Sequence, residues 1–109
     1  MLPQKNRLTK KRDFDEVFLK GKSRKGDFLI FKSKKNGLKN PRVGFIVSKK
    51  VSNKANVRNK VKRKLRACVL AKLEIIKNPT DIVIIALPSS KNKEFLEMQK
   101  AVSDFLRAI

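Results

Sequence analysis

Hydrolytic chemistry carried by a protein needs a group that takes a proton, and often a metal held by several ligands. This sequence has no histidine and only nine acidic residues. Asp13, Asp15 and Glu16 form its one acidic cluster, beside Lys10, Lys11 and Arg12. Balancing local charge and supporting a first helical turn is the ordinary use of such a cluster. Glu74, Asp81, Glu94, Glu97 and Asp104 are scattered. Cys68 is the only cysteine, which excludes an internal disulfide and a multi-cysteine metal site. It reads as a small core hydrophobe. Asn36-Gly37 reads as a turn, because a phosphate-binding loop needs more glycine at defined spacing. No catalytic or metal-ligating set emerges, and a protein-only nuclease is disfavoured.

Cations, by contrast, come in a fixed pattern. Half of the stretch from Lys49 to Arg66 is basic: Lys49, Lys50, Lys54, Arg58, Lys60, Lys62, Arg63, Lys64 and Arg66. No acid occurs between Asp27 and Glu74. An apolar thread at Val57, Val61, Leu65 and Cys68 has helical spacing, so the stretch predicts a folded helix rather than a basic tail. Arg58, Lys62 and Arg66 then run along one edge of the opposite face, with Asn59 and Arg63 beside them. Lysines on an exposed helix are often mere solubilisers. The acid-free span reverses that default, because a solvated surface normally mixes the signs. With 29 Lys and Arg against nine acids, the net charge is +20. Such a chain repels itself unless it meets a polyanion, with nucleic acid the first candidate and an anionic membrane surface the second.

The elements that position this lattice follow from the flanking sequence. A first helix is expected over Lys10–Lys20, capped by Thr9 and closed by Gly21. Its Phe14, Val17 and Phe18 share one face, and such a stripe is more often core than ligand site. Asp27–Ser33 reads as a strand, with Phe28 and Ile30 on one side and Leu29 and Phe31 on the other. The turn region Lys34–Pro41 leads to a strand Arg42–Ser48, and the two strands are expected to pair as a hairpin. Ser23–Arg24 is a weak candidate for a further short strand. The basic helix is expected over Ala55–Leu73, with Ser52 or Asn53 as its cap and its C-terminal end covered all round through Leu70 and Leu73. Asn78-Pro79 breaks the chain. Asp81–Leu87 is apolar enough for a central strand buried on both faces. Pro88–Asn92 is a loop, and Lys93–Ile109 an amphipathic final helix.

The fold class is therefore α+β: a two-layer αβ sandwich with helices on a small mixed sheet, in one domain spanning residues 1–109, order α-β-β-(β)-α-β-α. The opening Met1–Leu8 lacks the apolar run of a signal peptide, and the expected compartment is the cytoplasm. No membrane or protein partner is expected. On these features alone, the chain binds RNA or DNA, and a ribosomal or RNA-chaperone role stays open.

The segment Arg58-Asn59-Lys60-Val61-Lys62-Arg63-Lys64-Leu65-Arg66 resembles the RNR motif of the bacterial ribonuclease P protein component. The likeness continues through Leu2-Pro3, Arg7-Leu8, Lys11-Arg12-Asp13-Phe14 and Val17-Phe18. It extends through Arg42-Val43-Gly44, Val47-Ser48-Lys49-Lys50 and Asp81–Ala86. The short motif is weak by itself in a basic protein; the ordered set is strong.

The resemblance implies a left-handed βαβ crossover around the motif helix, a rare sense, and the fold seen in the second domain of a small-subunit ribosomal protein. It implies a protein that binds ribonuclease P RNA and the 5′ leader of precursor tRNA, while the RNA hydrolyses the substrate with Mg²⁺; the protein itself carries no cofactor. Lys49, Lys50, Arg58, Asn59, Lys60, Lys62, Arg63 and Arg66 fall at its RNA-binding positions. Phe14, Phe18, Phe31 and Lys50 fall at positions of its leader cleft. Four positions depart from the family's habit: Lys60 for a frequent Arg, Phe31 for a Tyr, Ala67 for an acid and Ser52 for a Gly.

Overall fold

The computed structural model describes residues 2–109. Three helices and four strands follow one another as α1 (Lys11–Lys20), β1 (Lys22–Lys25), β2 (Leu29–Lys35), β3 (Arg42–Ile46), α2 (Ala55–Lys72), β4 (Thr80–Ala86) and α3 (Phe95–Ala108). Short 3-10 turns occupy Gln4–Asn6, Leu73–Ile75 and Pro88–Asn92. No described helix is long and apolar enough to cross a membrane.

The sheet order is β1-β2-β4-β3. β4 is the central strand that its apolar run predicts: Ile82, Val83 and Ile84 are fully buried. It pairs antiparallel with β2 and parallel with β3. The expected β2–β3 hairpin therefore does not form, because β4 lies between the two. The Asn36-Gly37 turn itself exists. Gly37 has φ 66°, and the Leu38 amide donates to Asn36 Oδ1 at 2.8 Å. Its connection is too long for a tight hairpin and steps past one strand position, leaving a place that β4 fills. The parallel β3–β4 pair needs a long crossover, and α2 supplies it. The weak signal at Ser23–Arg24 corresponds to β1, an edge strand exposed along its whole length.

The larger core lies between the sheet and α2 with α3. It joins Leu29, Phe31, Val43, Ile82 and Ile84 to Val61, Leu65, Cys68, Met98, Val102 and Leu106. A smaller cluster on the other face holds α1, with Val17, Phe14 and Leu8 against Val83, Ile46 and Ile85. Neither α1 nor α2 has the expected cap. Lys10 and Lys54 precede the two helices without a side-chain cap bond. Ser52 instead accepts the Lys54 amide at 3.1 Å, shaping the turn into α2.

Candidate nucleic-acid interface

α2 separates its residues sharply. Val61, Leu65, Cys68 and Val69 are buried in the core. Arg58, Lys62 and Arg66 are half-buried along one flank, and Asn59, Lys60 and Arg63 are exposed. The Arg58 guanidinium donates to the Ser52 carbonyl at 2.9 Å, which ties it to the entrance of the helix. Lys49 and Lys50 are exposed in the preceding turn, which is pinned by the buried Val51. The turn closes through the Val51 amide on the Ser48 carbonyl at 3.1 Å.

Among the described residues, no cation of Lys49–Arg66 has a carboxylate within 4.0 Å. Asp13 and Asp81 pair with Arg42, Asp15 with Lys11, Glu16 with Lys20 and Lys34, and Glu97 with Lys93. The α2 face therefore keeps its full charge in the folded protein. Phosphates are natural neutralisers of such a face, with release of bound counterions. The acidic cluster of α1 is engaged in ion pairs, as its charge-balancing reading expects. Among the described residues, no group of three His, Cys, Asp or Glu side chains is placed so that it could hold a metal ion. Burial pushes the Cys68 thiol up to about 11, in keeping with an inert core position.

Beside α2, at the outer edge of β3, lies a cleft of about 330 Å³. Its walls are Arg66 of α2, Phe14 of α1, Val43–Phe45 of β3 and the N-terminal residues Leu2 and Arg7–Thr9. The N-terminal segment is held by the Leu8 amide on the Val43 carbonyl at 3.0 Å. Phe14 is half-buried with its ring over Gly44. A Cβ at Gly44 would collide with Phe14 Cζ, so glycine admits the ring in this position. One turn on, Phe18 is 38% exposed, with Lys32 Nζ 5.6 Å from its ring centroid.

The cleft does not gather all the residues that the resemblance implies. Phe31 is 5% exposed and lies on the opposite face of the sheet, stacked on Phe105 of α3 with ring centroids 4.2 Å apart. Strand alternation explains this: Leu29 and Phe31 turn to the large core, while Lys32 turns to α1. Lys50 is exposed in the turn, Phe18 sits beside Lys32 of β2, and neither is among the cleft-lining residues; of the four, only Phe14 lines the cleft.

Two features are not evident from the sequence patterns above. Gly44 is one, although a glycine inside an apolar strand is itself a sign of close approach. The other is Arg42, which donates to both carboxylate oxygens of Asp81 at 2.8 and 2.7 Å and to Asp13 at 3.2 Å. The hydrogen bond to Asp81 holds the Arg42 pKa above its ordinary value, against the opposing effect of burial. Asn36 adds a bond to Asp81 at 2.9 Å. This clamp joins α1, β3, β4 and the β2–β3 connection, and so fixes the helix that carries Phe14 and Phe18.

Comparison with known proteins agrees with this architecture. The family model described as Ribonuclease P matches residues 2–109. The ribonuclease P protein component of Syntrophomonas wolfei is 41% identical over 100 residues, covering 92% of this chain and 83% of that one. The solved RNase P protein of Thermotoga maritima superposes with a TM-score of 0.85 at 30% identity, covering 94% of this chain and 96% of that one. The Staphylococcus aureus RNase P protein gives 0.84 at 29% identity, with 94% of each chain covered. An ordered motif over nearly the whole chain, a matching fold and an unneutralised basic helix converge: the chain belongs to the ribonuclease P protein family.

Proposed function

We propose that this chain is the non-catalytic subunit of its ribonucleoprotein endoribonuclease. It docks on the catalytic RNA through α2 and holds the 5′ leader of precursor tRNA along the cleft beside that helix. The observation that carries this reading is the unneutralised cationic face of α2, set next to a cleft containing a held aromatic ring.

Each part has a physical task. Lys49, Lys50, Asn59, Lys60 and Arg63 are exposed, and Arg58, Lys62 and Arg66 flank them. The seven cations among them replace counterions on the RNA, and the Asn59 amide adds a neutral hydrogen-bonding group. Arg66 belongs to both the helix face and the cleft, and so joins the RNA platform to the substrate path. Phe14 and Phe18 supply apolar surface on which unpaired leader bases stack. Phe31 has no place in that contact, since its ring is covered by Phe105. The hydrolytic step is assigned to the RNA, where bound Mg²⁺ would supply activation of the attacking water. The protein contributes by screening phosphate repulsion, which raises substrate affinity and the occupancy of cation sites in the RNA. The cytoplasm is the expected compartment for this work.

The test is reconstitution. The purified chain is added to a bacterial ribonuclease P RNA with precursor tRNA at low Mg²⁺. Increased 5′ maturation over RNA alone is expected, with no cleavage by the protein alone. No gain would reject the proposal, and cleavage without RNA would assign catalysis to the protein.

A further inference from the structure

The C-terminal half of α2 carries an apolar spot that the fold does not cover. Against the expectation of an all-round cover, Leu70 is 41% exposed. Its neighbours Ala67 and Ala71 are exposed as well. Together with Arg63 and Arg66 these residues line a shallow hollow of about 420 Å³. At roughly 100° per residue, Leu70 lies opposite Val61 and within about 20° of Arg63 around the helix axis. The hollow is therefore continuous with the cationic face and separate from the core.

We propose that this hollow is a subsite for one unpaired RNA base at the C-terminal end of the docking face. The proposal deepens, and rests on, the reading of α2 as the RNA-binding helix. The floor is methyl and isobutyl surface, which offers no donor to a phosphate but accepts the flat apolar face of a base. The walls are two arginines without carboxylate partners among the described residues. A guanidinium plane stacks on a base while its N–H groups reach adjacent phosphates. One leucine and two alanines fall far short of the roughly 1,000 Å² that a protein–protein interface needs, and the surrounding charge favours a polyanion. A paired base is a poor occupant, because its faces are already stacked within the duplex.

The experiment uses the full chain and a bacterial ribonuclease P RNA, with affinity measured across a potassium chloride series. Leu70→Ser is expected to weaken binding about tenfold with the salt slope unchanged, since a base no longer stacks while every phosphate keeps its cation. Leu70→Met, which keeps the apolar floor, is expected to stay within about twofold of the parent. A benzophenone amino acid placed at position 70 is expected to crosslink to an unpaired nucleotide. Unchanged affinity of Leu70→Ser, a reduced salt slope in that variant or a crosslink into duplex would each overturn the subsite. Arg63→Ala separates the two levels. If Arg63→Ala weakens binding and lowers the slope while Leu70→Ser does neither, the subsite falls and the docking face stands. If Arg63→Ala also has no effect, the docking face falls with it.

Discussion

Phe14, Phe18 and Phe31 share a residue type, but the fold gives them different work. Phe31 is a core ring, because strand alternation sends it with Leu29 toward α2 and α3. Phe14 is wedged over Gly44 and forms part of the cleft wall. Phe18 is the ring most available to a base, with Lys32 above it. The family resemblance points to all three, and the alternation within β2 already separates Phe31's side from that of Ile30. Which side faces which helix is not a local property, since it depends on how the strands pair. Phe18→Ala is expected to weaken binding of leader-bearing precursor tRNA by about 1–3 kcal/mol, the range for a stacked base. Mature tRNA binding should be spared, and equilibrium titration of the two substrates with the reconstituted ribonucleoprotein measures the difference. Equal losses would mark Phe18 as a packing residue.

Among the elements, α2 and β4 are the most legible in the sequence, because each depends on a long local pattern. Val61, Leu65 and Cys68 of the α2 stripe are buried where their spacing demands, with Val69 joining them, while Val57 in the first turn is only half-buried. The continuous apolar run of β4 does lie at the centre of the sheet. The β2–β3 hairpin does not form because local turn chemistry cannot register a strand that arrives later in the chain to pair between them. The same non-local arrangement brings Asp81 to Arg42 and Asp13, 39 and 29 residues apart from Arg42 in sequence, respectively. Without this clamp, Asp81 stays mostly buried and has no guanidinium partner. Arg42→Ala is expected to lower stability by about 1.5–3 kcal/mol, the range for hydrogen bonds to charged groups. Arg42→Lys should recover only part of it, because lysine lacks the fork that meets both Asp81 oxygens. Urea unfolding midpoints measure both, and a midpoint unchanged in Arg42→Ala would show that the clamp is dispensable.

For the molecule as a whole, charge is the dominant fact. The sequence shows +20 and the long acid-free span; only the fold shows that the ion-paired acids engage Lys11, Lys20, Lys34, Arg42 and Lys93 and leave α2 unneutralised. One face of one helix thereby becomes the place where a polyanion gains most. The cleft at the β3 edge lies alongside, joined to that helix by Arg66. If α2 is the docking face, its cations exchange counterions for RNA phosphates, and affinity must fall with salt in proportion to their number. The most direct measurement is the slope of log affinity against log salt for ribonuclease P RNA, in the parent and in Arg63→Ala. A steep parent slope is expected, reduced by about 0.7–0.9 for each phosphate that the variant no longer neutralises. Identical slopes and affinities in the two proteins would contradict docking through this face.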